Sequence, residues 1–189
     1  MYKLCTTEKT AMQQRQFEQS FLAISQEMLY DDITISELCR RAGLSRKIFY
    51  RLFERKADVL YALLDHTMLD AAFYQPDPSV KEGRLHRFLA FWREQKPLLD
   101  MLQWNNSSSL LTEAAIRHLI RENSEYLRCF GTAEDRFGRE ALLFYVSGVF
   151  ALVLDWHRQN YAASIDQLSE ALMTLLTTAP VKHSLRQGE

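Results

Sequence analysis

The sequence predicts an all-α protein of about nine helices, and three observations carry that prediction. Six Gly and four Pro over 189 residues leave few of the turn residues that many short strands would require. Apolar side chains recur at helical spacing, first as Phe17, Phe21, Ile24 and Met28 on one face. Helix punctuation recurs as well, with hydroxyl residues before apolar runs and Gly or Pro after them. A composition of 47% apolar and 25% charged residues supplies a sizeable core.

Taken in order, the first helix spans about residues 9–29 and is interrupted by Asp31 and Asp32. Thr34 and Glu37 read as a capping box, each side chain satisfying an amide of the other, and open a short second helix. Gly43 ends it, as the residue best able to turn left-handed, and Ser45 caps a third helix over residues 46–53. A fourth helix starts near Lys56 and buries Val59, Leu60, Leu63, Leu64 and Met68. Residues 75–78, Gln-Pro-Asp-Pro, cannot continue it, because proline lacks the amide and disfavours helical geometry in the residue before it. Beyond them, Ser79 and Glu82 cap a helix carrying Leu85, Phe88, Leu89 and Trp92, and Pro97 opens another with Leu98, Met101 and Leu102. Residues 105–109 form a polar break. A long helix follows through Ile116, Leu119, Ile120, Leu127 and Phe130, closed by Gly131 and Thr132. The last two helices span about residues 135–161 and, after a cap at Ser164 and Gln167, a stretch through Leu176. The chain divides into residues 1–55, three helices around a helix-turn-helix, and residues 56–189, a helical body, with the helix at about 56–73 linking them.

The net charge is −1, so any attraction to nucleic acid must be local. Cys5, Cys39 and Cys129 are odd in number, far apart and without metal-ligand spacing, which suits a reducing cytoplasm and argues against a disulfide framework. The start of the chain is polar, with no apolar stretch of a signal peptide. The most apolar run, residues 141–154, is shorter than the roughly 20 residues of a membrane span and reads as a buried helix. No partnership with a membrane is expected. His66, His86, His118, His157 and His183 show no pairing at metal-ligand spacing, so neither a metal nor another cofactor is expected.

The two short helices around Gly43-Leu44-Ser45 have the spacing of a helix-turn-helix, in which the first helix braces the second against the major groove. From residue 38 to residue 56 the basic residues are Arg40, Arg41, Arg46, Lys47, Arg51, Arg55 and Lys56 against the single acid Glu54. That local surplus of six sits in a chain that is acidic elsewhere, the footprint expected of phosphate binding. Leu38, Phe49 and Phe53 lie at helical spacing beside these residues and read as the small core of this unit.

Residues 33–45, Ile-Thr-Ile-Ser-Glu-Leu-Cys-Arg-Arg-Ala-Gly-Leu-Ser, followed by Ile-Phe-Tyr-Arg-Leu-Phe at 48–53 and Lys-Ala-Asp-Val-Leu at 56–60, resemble the TetR family of bacterial regulators. The resemblance implies phosphate contacts at Thr34, Ser45, Tyr50 and Lys56, with Arg51 beside them, which set register without reading sequence. It implies base contacts from the start of the third helix, at Arg46, Lys47 and Ile48, with Arg suited to guanine acceptors and Ile to a thymine methyl. The family more often has a small residue at the position of Lys47, a hydroxyl residue at that of Ile48 and an aromatic or His at that of Leu52. The departures fall where an operator is chosen.

The resemblance further implies a C-terminal body that dimerises through its last two helices and encloses a small-molecule effector. Residues 144–152 with Trp156 are similar to the penultimate helix of the branch containing regulators of dihydroxyacetone kinase operons. Gly148 inside that helix costs roughly 1 kcal/mol relative to Ala, which close approach of a second helix could offset. Phe88, Trp92, Met101, Trp104, Tyr126 and Phe144 are the candidate lining of an effector pocket, with His86, His118 and Asn105 as polar groups, while ordinary core is the alternative for each. The implied function is a dimeric repressor whose grip on double-stranded operator DNA an effector releases. The alternatives are an activator, a helical protein that coats DNA without sequence choice, and an enzyme. Against the last, the sequence has no nucleophile elbow, Gly-rich phosphate loop, zinc-protease motif or Rossmann fingerprint.

Overall fold

The computed structural model describes residues 7–73, 83–122 and 138–178. Among them the chain forms nine α-helices and no strand: α1 (Glu8–Ile24), α2 (Ile35–Ala42), α3 (Arg46–Leu52), α4 (Lys56–Phe73), α5 (Gly83–Glu94), α6 (Lys96–Trp104), α7 (Ser109–Glu122), α8 (Gly138–Arg158) and α9 (Ile165–Thr178). A single 3-10 turn, Tyr30–Asp32, lies between α1 and α2. The break expected at 75–78, the Ser79 cap, Tyr126 and the stop at Gly131 and Thr132 lie outside the described residues.

Local signals decide several helix ends. Gly43 stands at φ 64°, and behind it the amide of Leu44 donates to the Cys39 carbonyl at 3.1 Å, closing α2. Ser45 accepts from the Ile48 amide at 3.3 Å to start α3. Ser164 and Gln167 cap α9 reciprocally, at 2.9 and 3.2 Å. At Thr34 only half of the expected capping box forms. Its hydroxyl accepts from the Glu37 amide at 3.1 Å, while the Glu37 carboxylate turns away to Arg40 and Arg41.

The first helix stops at Ile24, earlier than the periodicity suggests. Ser25 donates its hydroxyl to the Leu22 carbonyl at 2.7 Å, and the backbone then turns, with the Glu27 and Met28 amides both returning to Ile24. Met28 still packs on the core, and that packing is what the periodic pattern recorded.

Phe17 of α1, Phe49 of α3 and Phe53 just after it meet with ring centroids 5.4 to 5.8 Å apart, and with Leu38 they bury the inner faces of the first three helices. Along α4, Val59, Leu64 and Met68 carry this core into the body, where Trp92, Leu98, Leu99 and Met101 extend it. α4 packs on α1 and on α7; α5 packs on α6, α8 and α9. Polar ties follow the same route. The buried carboxylate of Glu18 on α1 bonds Nδ1 of His66 at 2.8 Å, and Asp65 pairs with Arg117 of α7 at 3.2 Å.

α8 departs from expectation. It is 21 residues long, and Phe144, Ser147, Gly148 and Ala151 on one face are exposed, so it is buried on one side only. Among the described residues its stretch Glu140–Arg158 alone is long and apolar enough, by length and composition, to cross a membrane, and only a third of that stretch is buried.

Candidate nucleic-acid interface

Six of the seven residues of α3 divide between two environments. Phe49 and Leu52 face the core, while Arg46, Lys47, Tyr50 and Arg51 are exposed. Ile48 is half-buried and packs against the core, so only part of its side chain is open. Arg46 leans over Tyr50, its guanidinium 6.0 Å from the ring centroid and 3.5 Å from the hydroxyl. Arg51 donates to Oε1 of Gln13 at 2.5 Å, which ties the end of α3 to α1. Lys47 has no partner among the described residues.

The two capping hydroxyls, Thr34 and Ser45, are exposed, and each uses an oxygen lone pair to cap its helix. A hydroxyl that accepts from an amide still has its own proton to donate. Both can therefore give that proton to a phosphate oxygen without loss of the cap.

The basic surplus is smaller in space than in sequence. Arg40 is held by Glu37, at 2.6 and 2.8 Å, and Arg41 bonds both Glu37, at 3.1 Å, and Glu27. Hydrogen bonds from these two guanidiniums pull the Glu37 carboxyl down to about 2, and the bond from Arg41 lowers that of Glu27. Two of the seven cations are thus already neutralised beside the site. Glu27 lies fourteen residues before Arg41, at no helical spacing from it, and nothing local in the sequence announces the pair.

Lys56 is placed differently from the exposed residues of α3. Its ammonium donates to the Tyr30 carbonyl and, at 3.3 Å, to that of Asp31, and it sits 4.2 Å from the centroid of the Tyr30 ring. Partial burial pushes its pKa down, against the pull of Asp31 and Asp32.

The six candidate pocket residues are not gathered in one place. Trp92 and Met101 are fully buried, and Phe88 sits half-buried against Trp92 and Phe150, with centroids 6.2 and 6.0 Å away. Trp104 and Phe144 are 58% and 73% exposed, and Tyr126 lies outside the described residues. Of the polar candidates, His86 is exposed near Asp166, and Asn105 is engaged with Tyr30 and Met101. Within the buried group, the Trp92 indole N–H has no hydrogen-bond partner among the described residues.

No family model and no curated protein matches the chain. Among solved structures, Lin0861 from Listeria innocua aligns over 93% of this chain and 94% of its own, with a TM-score of 0.72 at 18% identity. A tetR-family transcriptional regulator from Streptomyces coelicolor aligns over 84% of this chain and 78% of its own, with a TM-score of 0.56 at 19% identity. The fold is that of a TetR-family regulator. Within the TetR-like fold, α2 and α3 form the helix-turn-helix and α4 leads into the helical body.

Proposed function

We propose that the chain is a DNA-binding transcriptional regulator that grips operator DNA with α3. The observation that carries this reading is the division of α3, which turns Arg46, Lys47, Tyr50 and Arg51 outward and seats Phe49 and Leu52 in the core. A short helix braced in this way, with Arg46, Lys47 and Arg51 on its outer side, is what phosphate and base contacts in a major groove require. Thr34, Ser45, Tyr50, Arg51 and Lys56 would take phosphates, and Arg46, Lys47 and the open part of Ile48 would meet base edges. Selection of bound sites from random DNA tests the reading. A palindromic site is expected, with binding abolished by Tyr50→Ala plus Lys56→Ala while the oligomer persists; uniform binding of every sequence would instead support a coating protein.

The finer reading is a repressor released by a small molecule. The indole N–H of Trp92, buried without a partner among the described residues, supports an effector with an acceptor oxygen, because such a donor costs about 1–3 kcal/mol that the ligand would recover. Trp92→Phe should then preserve DNA binding and blunt the response to effector.

A further inference from the structure

Among the polar ties between the head of the molecule and its body is one side-chain amide, that of Asn105. Asn105 ends α6, and both functions of its side chain are used: Oδ1 accepts from the Tyr30 amide at 2.8 Å, and Nδ2 donates to the Met101 carbonyl at 2.8 Å. The Tyr30 backbone N–H is thereby fixed from the body side, seventy-five residues away in sequence. On its other side the Tyr30 carbonyl accepts from Lys56, and the Tyr30 ring lies under the same ammonium, braced edge-on against Phe21 at 6.0 Å. At the opposite end of α6, Gln26 donates to the Pro97 carbonyl at 2.9 Å. Both ends of α6 are therefore bonded to the stretch of chain between α1 and α2.

A lysine ammonium has three donors on a flexible four-carbon stem. Two are taken by the carbonyls of Tyr30 and Asp31, which leaves one for an anion and fixes where it points. Holding the stem in advance removes the rotamer entropy that an exposed lysine loses when it binds a phosphate.

We propose that Asn105 is a positioning residue for DNA: through the backbone of Tyr30, whose N–H it accepts from, it holds the Lys56 ammonium, at the start of α4, where its remaining N–H meets a phosphate. The assignment rests on the DNA-binding reading and adds to it a route by which the body sets the grip of the head. Since linkage is reciprocal, whatever shifts the end of α6 alters phosphate affinity, and DNA binding in turn favours the bonded position of Asn105.

The test is a double-mutant cycle on the full chain, with a random-sequence duplex titrated over a range of salt. Lys56→Ala is expected to weaken binding and to lower the slope of log affinity against log salt by about 0.9 for each phosphate that it leaves unneutralised. Asn105→Ala should weaken binding about 2- to 10-fold, the size of one hydrogen bond, and should add nothing when Lys56 is already Ala. Asn105→Asp, which keeps the acceptor for Tyr30 and gives up the donor to Met101, should restore most of the affinity. A readout without DNA accompanies the cycle: reductive methylation of Lys56, mapped by mass spectrometry, should be faster in Asn105→Ala than in the original chain. Should the alanine variant fail to fold, Asn105→Gln, which displaces the acceptor by one methylene, carries the same expectations. Losses that add in both backgrounds, with unchanged methylation of Lys56, would overturn the role of Asn105 and leave the DNA-binding reading standing. Absence of any salt-dependent binding by the original chain would overturn both.

Discussion

Tyr161 shows how a single side chain reports its surroundings. It closes the turn after α8 in the left-handed region, at φ 58°, directly after Asn160 at φ 51°. Three contacts hold it there: its amide donates to the Trp156 carbonyl at 2.9 Å, and its ring packs edge-on against Trp156 at 4.8 Å and His157 at 5.7 Å. The hydroxyl is buried without a partner among the described residues, and burial, with the charge of Asp100 adding to it, pushes the phenol up to about 12. In the unfolded chain the same group titrates near its ordinary value of about 10. Its contribution to stability is therefore complete below about pH 10 and disappears as pH rises through about 12, because the unfolded state loses its proton first. Tyr161→Phe removes an unpaired hydroxyl and no hydrogen bond. It should lie within about 1 kcal/mol of the original chain at neutral pH, and in urea unfolding it should lose less stability than the original chain between about pH 9 and about pH 11. Equal losses over that interval would contradict the burial of the hydroxyl.

At the scale of the element, α2 carries the electrostatic balance of the head. Its last turn holds Arg40 and Arg41, and its first turn holds Glu37, which binds both. With the Glu37 carboxyl held down to about 2 by the two guanidiniums, it stays ionised and the clamp closed around neutral pH. Substitution opens the clamp. Glu37→Gln removes the negative charge and leaves Arg40 without its ion pair, so affinity for a random-sequence duplex at low salt should rise about 2- to 10-fold and the salt dependence should steepen. A fluorescence anisotropy titration at two salt concentrations measures both; unchanged affinity would mean that the two arginines lie away from the phosphates. Elements also mark where the sequence is readable. Gly43, Ser45, Ser164 and Gln167 act within five residues of themselves, and each ends or starts the helix its type predicts. The basic surplus over residues 38–56 was legible as a total but not in its distribution, since Glu27 reaches Arg41 only after α1 and α2 have packed together. The bond from Tyr30 to Asn105 is less visible still, because neither residue belongs to a periodic pattern. The aromatic candidates show the reverse limit: composition places Trp92 and Trp104 in one class, and packing buries the first and exposes the second.

For the whole molecule, the open face of α8 is the main unmet demand. Phe144, Ser147, Gly148 and Ala151 lie at spacings of three and four, so one side of the helix presents a large aromatic ring beside a strip of small residues. α9 adds Met173 and Leu175, both exposed. A Cβ built on Gly148 meets no described atom within 4 Å, so packing among the described residues does not require glycine there. The helix nonetheless bears the glycine cost of roughly 1 kcal/mol, and a second copy of the chain crossing closely at this point would offset it. An operator palindrome would match such a two-fold pair, one head to each half-site. Gly148→Leu separates the interpretations, because it fills open space in one chain and obstructs a close helix crossing between two. It should leave the thermal stability of the single chain unchanged or slightly raised, while sedimentation equilibrium should show the dimer dissociating; Phe144→Glu should do the same by placing a charge in the apolar contact. Binding to the selected palindrome should fall much more than binding to a single half-site, since only the former needs both heads on one duplex. If Gly148→Leu remains a dimer with full operator affinity, the pair forms through another face, and the exposure of Phe144 requires a different partner.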